Sequence, residues 1–140
     1  MSQPEVKATI ENILDNSSVG TMATVKQNRP HSRYMTFSHH NLELYTATSK
    51  DTHKAEEIEE NPYTHILLGY EGEGFGDEYV EYEGKVQITE KPELKKELWN
   101  SYMENWFDGP NDPNYIVLEI KPIQISLMNK TGMEPKLLKL

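Results

Sequence analysis

Arg33, His53 and Lys54 are the side chains whose types and spacing could hold a phosphate-sized anion. Arg33 lies in Pro30-His31-Ser32-Arg33-Tyr34-Met35-Thr36-Phe37, which reads as a strand. Alternation then places Arg33 on one face with Met35 and Phe37. A guanidinium there needs an anionic partner or a route to water, because burying it unpaired is costly. Thr48-Ser49-Lys50-Asp51-Thr52-His53-Lys54 opens a short helix that ends at Asn61-Pro62. The first amides of such a helix favour an anion, and Lys54 and His53 add charge to them. Each residue alone has an ordinary meaning: an arginine stem along a barrel surface, or a solvated helix start. Their joint occurrence beside the Thr48-Ser49 turn is the functional signal.

The elements that must position these residues follow from the patterning. Val6, Ile10, Ile13 and Leu14 give an amphipathic first helix with Pro4 at its start. Val19 to Val25 alternates as a strand, and the turn Gln27-Asn28-Arg29-Pro30 returns the Arg33 strand antiparallel. His39-His40-Asn41 is a second turn, into a strand from Leu42 to Thr48. The helix from about Thr52 to Asn61 buries Ala55 and Ile58; Asp51 or Thr52 could cap it, and Pro62 ends it.

Thr64 to Tyr70 is a β-rich apolar run, and Val80, Tyr82, Val86 and Ile88 mark another strand interrupted by Gly84. Pro92 starts a helix with Leu94, Leu98, Tyr102 and Trp106 in one stripe and Trp99 beside it, followed by the rigid loop Asp108-Gly109-Pro110-Asn111-Asp112-Pro113. Ile116, Leu118 and Ile120 alternate on one strand, and Ile123, Ile125 and Leu127 continue after Pro122. The tail from Lys130 shows no clear pattern. Six or seven strands, mostly joined by hairpins, with helices at crossovers indicate an antiparallel barrel-like sheet with flanking helices, in one domain over residues 1–140.

The 140 residues carry a net charge of −9 and a mean hydropathy of −0.75. That charge argues against nucleic acid and anionic membrane surfaces, which need a basic footprint. A modest apolar content of 36% makes a dimer interface a natural supplement to the core. Without cysteine there is no disulfide, thiolate ligand or cysteine nucleophile, which fits a reducing cytoplasm. The first residues lack a charged start followed by an apolar stretch, so neither a signal peptide nor a membrane span is expected.

Three tempting features carry no chemistry. Gly72, Gly74 and Gly76 lead into a strand at the wrong spacing for a dinucleotide loop, among four acids that would repel a phosphate. His39-His40 falls in a turn and His31 and His65 on separate strands, so no metal is expected. Ser, His and Asp occur without the context of a hydrolytic triad.

The succession of Pro-His-Ser-Arg33-Tyr-Met-Thr-Phe, then Leu-Glu-Leu-Tyr-Thr-Ala-Thr48-Ser-Lys-Asp-Thr-His-Lys54, then Ile58-Glu-Glu-Asn61-Pro62 resembles the pyridoxamine 5′-phosphate oxidase-like family. Val80-Glu-Tyr82-Glu-Gly84-Lys-Val86 is similar to its next sheet strand. Trp99 and Trp106-Phe-Asp-Gly109-Pro-Asn-Asp112-Pro113-Asn-Tyr115 are similar to its general stress protein branch. The match runs over about residues 5–128, and the order and spacing of the motifs are specific together rather than singly.

The resemblance implies an FMN-binding split β-barrel homodimer, with flavin mononucleotide (FMN) in clefts at the subunit interface. It implies that Arg33 and Lys54 hold the flavin phosphate, helped by Thr52 and His53. Tyr34, Met35, Thr36 and Phe37 would line the ring, and Ala47, Thr48 and Ser49 the ribityl chain. Tyr79 stands where many relatives have a glutamine facing the ring, and Trp106 would come from the other subunit.

The expected function is that of a cytoplasmic flavin-dependent oxidoreductase or redox-linked stress protein. The alternatives are a non-catalytic flavin carrier or sensor, and a split barrel binding another planar ligand such as haem. Oxidation of pyridoxamine 5′-phosphate itself is not expected. Ser38 and His53 replace the lysine and arginine of relatives with that activity, and no arginine follows Arg33 to hold a second phosphate.

Overall fold

In the computed structural model, the structure describes residues 1–74, 76–129 and 134–140, with His53 and Lys54 described in backbone only. The first helix, α1 (Gln3–Asn16), buries Val6, Ile10 and Leu14. Ser2 and Glu5 close a reciprocal capping box over its start. Strands β1 (Val19–Lys26) and β2 (Arg29–Thr36) form a hairpin. Gln27 and Asn28, with φ of 50° and 64°, make the tight turn whose twist suits antiparallel strands. Pro30 thus lies inside β2 rather than in the turn, which an edge strand tolerates.

Where a turn was expected at His39-His40, the chain forms a short strand, β3 (Ser38–His40), and reverses at Asn41 instead, with φ of 53°. Its pairing with β4 (Glu43–Ser49) decides this. The His39 ring is held by Asp15 of α1 at 2.6 Å and the Asn41 carbonyl at 3.0 Å, so it pins α1 to the turn after β3. No group of three metal-ligating side chains occurs among the described residues.

Helix α2 (His53–Glu60) leads to β5 (Tyr63–Leu68) and β6 (Tyr79–Thr89). Between these two strands the glycine loop is tied down by Asp77, whose Oδ2 accepts from the amides of Glu71 and Glu73 at 2.8 and 2.9 Å. The long helix expected from Pro92 to Trp106 is overturned. Helix α3 covers only Pro92–Leu98, and a 3-10 turn spans Ser101–Asn105. Trp99 leaves helical geometry and lays its ring 5.6 Å from that of Tyr115, while Met103 turns into the same cluster. Tyr102 and Trp106 are therefore outside the stripe, 70% and 64% exposed.

The apolar runs on both sides of Pro122 belong to one strand, β7 (Tyr115–Met128). Pro122 sits opposite Gly84, where the β6–β7 register shifts, and the irregularity accommodates its missing N–H. In the tail, β8 (Lys136–Leu138) pairs with β7.

The sheet order is β2-β1-β5-β6-β7-β4-β3, with β8 also on β7 and all pairings antiparallel. Its two end strands, β2 and β3, are consecutive in the chain, separated only by Phe37. The chain itself therefore closes the curled sheet into a split barrel. Met22, Ile66, Tyr82, Leu118, Ile120 and Ile125 fill the interior, and α1 and α2 contribute Ile10 and Ile58. No helix among the described residues is long and apolar enough to cross a membrane.

Candidate functional site

Closure of the barrel is incomplete. The Thr46 hydroxyl donates to the Thr36 carbonyl at 2.8 Å, tying β4 to β2 at one point. From there β2 retreats through Met35, Tyr34 and Arg33 while β4 advances through Ala47, Thr48 and Ser49. β3 pairs β4 only as far as Tyr45, and β2 is the end of the sheet. Among the described residues these two strand edges have no ladder partner and flank a split, and strand edges outside a ladder can offer backbone donors and acceptors.

The split leads to the start of α2. Thr52 occupies the cap position by its backbone, but no side-chain hydrogen bond caps the helix. Its hydroxyl turns back to donate to the Ser49 carbonyl at 2.9 Å and lies 3.4 Å from the Thr48 hydroxyl. Among the described residues the first-turn amides thus have no side-chain cap, which suits an anion. His53 and Lys54 occupy this first turn in backbone; their side chains lie outside the described residues.

Arg33 reaches the same helix one turn further on. Its Nη2 donates to Glu57 Oε2 at 3.1 Å, and its Nη1 to Thr24 Oγ1 at 2.7 Å and the Met22 carbonyl at 3.3 Å. Thr24 in turn donates to the same Glu57 oxygen at 2.5 Å, closing a triangle. The Glu57 side chain is 4% exposed and that of Arg33 22%. Burial pushes the Glu57 carboxyl up. The hydrogen bonds from Thr24 and Arg33, with the guanidinium charge, more than offset this and hold it below the usual carboxylate range.

The partner that Arg33 requires is thus supplied by the chain itself. Neither Thr24 nor Glu57 stood out in the sequence. The available signals were the alternation that buries Thr24 with Met22, and the place of Glu57 next to Ile58 on a helix otherwise rich in exposed acids.

The remaining candidate residues separate. Met35 and Phe37 point into the barrel core, so only their backbone borders the split. Ala47 packs against Tyr115 and Val117 in a second cluster, and Thr48 is buried. Tyr34 and Tyr79 instead line a cleft of about 580 Å³ on the outer face, with Val19, Thr21, Leu67 and Tyr70. Trp106 stands on its exposed loop with its ring 5.2 Å from that of Tyr102.

The model of the pyridoxamine 5′-phosphate oxidase family matches residues 6–129. This chain belongs to that family. Within the family it is 54% identical to general stress protein 26 of Bacillus subtilis (strain 168) over 140 residues, the whole of both chains. The crystal structure of general stress protein 26 from Bacillus anthracis superposes with a TM-score of 0.86 at 34% identity, over 97% of this chain and 99% of the other. That of a pyridoxamine 5′-phosphate oxidase-like protein from Listeria innocua gives 0.79 at 35%, over 88% and 98%. The split barrel is the fold of these family members, and the expected architecture is correct.

Proposed function

We propose that this chain binds FMN, with the phosphate at the start of α2 and the ring in the split between β2 and β4. The split itself carries this reading: beyond Thr36 and Thr46 the strands β2 and β4 are outside any ladder with each other, and they lead to a helix start that the Thr52 side chain does not cap, near a guanidinium. A flat heteroaromatic ring needs backbone donors and acceptors along its polar edge, and strand edges offer both. A phosphate monoester needs amides, hydroxyls and a cation, which are the groups of α2, Thr48, Ser49, Thr52 and Arg33. His53 and Lys54 would complete that set. The donor chemistry fits the cofactor.

Bound flavin would supply hydride or electron transfer, while the protein supplies binding, orientation and shielding. Buried Met35, Phe37, Thr46 and Thr48 wall off the split from the barrel side. The function supported best is a flavin-dependent oxidoreductase, or a redox-linked general stress protein, of the cytoplasm. It would act as a homodimer. Tyr34, Thr21 and Leu67 lie in direct register across β2, β1 and β5 and face outward, which suits a second copy. Trp106 is exposed rather than packed in its own core, which suits a contact with a neighbouring subunit.

Titration of the apo protein with FMN and riboflavin, followed by flavin fluorescence, tests the phosphate site. Charge-assisted hydrogen bonds contribute roughly 1.5–3 kcal/mol, so FMN should bind about ten- to hundredfold more tightly. Equal affinities would remove the site.

A further inference from the structure

The triangle of Thr24, Arg33 and Glu57 has a consequence for any anion at the α2 start. Both Arg33 Nη2 and the Thr24 hydroxyl converge on one oxygen of Glu57, and Arg33 Nη1 also spans to Thr24. The carboxylate is almost fully buried while the guanidinium keeps some access to solvent. A cation recruited for a dianionic phosphate would ordinarily present its full charge. Here that charge is already matched by a carboxylate on the same helix, one turn from its anion-binding start.

We propose that Glu57 is a specificity-determining counter-charge that weakens phosphate binding at this site and keeps a phosphorylated ligand exchangeable. The proposal rests on the reading of Arg33 and the α2 start as a phosphate site. An incoming phosphate must share Arg33 with a carboxylate that cannot leave, because Glu57 is buried and held by Thr24 as well. Three of the five guanidinium N–H donors are engaged by Met22, Thr24 and Glu57, so the ligand can address the rest. An anion held across the guanidinium from Glu57 would sit roughly 6–7 Å from its carboxylate, close enough at near-surface screening for about a tenfold effect on affinity.

The test is Glu57→Gln in the full chain. Glutamine keeps the shape and an oxygen that accepts from Thr24, but removes the charge. FMN and riboflavin affinities are measured by flavin fluorescence at low salt, with apo melting recorded alongside. FMN should bind about tenfold more tightly than to the unaltered protein, riboflavin affinity should not change, and apo melting should fall. A purely structural role for Glu57 cannot tighten one ligand and spare the other. Should Gln prevent folding, Glu57→Met fills the same space without charge and carries the same expectation.

Unchanged or weaker FMN binding in the variant, in a protein that prefers FMN to riboflavin, overturns the counter-charge and leaves the phosphate site standing. Absence of that preference in the unaltered protein removes the phosphate site and this proposal together.

Discussion

A guanidinium beside an apolar barrel survives because something negative meets it, and here Glu57 does so from α2. Replacing Arg33 by Met strands that carboxylate with Thr24 as its remaining partner in the triangle. Removing one member of a buried pair costs about 3–5 kcal/mol; with Arg33 partly exposed, about 2–3 kcal/mol is expected at neutral pH. The loss should depend on pH in a definite sense. In the unaltered protein the Glu57 carboxyl is held below its usual range, so its stabilisation is present above that range and lost as pH falls through the folded value. In Arg33→Met, burial dominates and raises the carboxyl instead, so acidification relieves the strain of a buried charge. The stability gap between the two proteins should narrow from pH 7 to pH 4, as read from denaturant melts. A gap that widens would mean Glu57 is not the partner that matters.

The need of Arg33 for an anion was legible from its alternation with Met35 and Phe37. Which anion satisfies it was not. That depends on where α2 lands on the barrel, and strand order decides the landing. A residue-level pattern therefore announced a site while leaving half of its charge balance unseen.

Strand spacing sets the second scale. Gly20 of β1 packs under β5 so closely that a Cβ there would lie 2.3 Å from the Leu67 carbonyl oxygen and 2.6 Å from Leu68 Cδ2. The nearer atom is backbone in a ladder, so it cannot move without parting β1 from β5. Gly20→Ala should therefore lower stability by about 2–3 kcal/mol, the usual scale of overpacking. A drop of several degrees in melting temperature checks it, and an unchanged melt would mean the sheet can spread there.

Elements with strong local signals were readable: the hairpin at Gln27-Asn28, the amphipathic α1 and the alternating β6. Misreadings arose where tertiary contacts overrode periodicity. The stripe from Leu94 to Trp106 had helical spacing, yet packing of Trp99 and Met103 on Tyr115 ends the helix after about two turns. Pro122 looked like a strand boundary, but a register shift opposite Gly84 absorbs it.

At the scale of the whole molecule, the short link at Phe37 between the two end strands makes a barrel with a split rather than a closed can. That geometry leaves two kinds of surface in need of cover: the edges of β2 and β4 along the split, and the outward row of Tyr34, Thr21 and Leu67 across β2, β1 and β5. Tyr34 is 78% exposed, Val19 57% and Leu67 37%, all on that outer face. A chain whose net charge is −9 repels its own copies at long range, so association needs an apolar contact to succeed. On this argument the protein should sediment as a dimer at micromolar concentration. Leu67→Glu should convert it to a monomer with its apo barrel intact, because the side chain already points away from the core. FMN affinity should fall with the dimer if Trp106 of the neighbouring subunit covers the site. A dimer indifferent to a charge at Leu67 would move the interface to another face. A monomer that still binds FMN at full strength would show that one split barrel completes its own site.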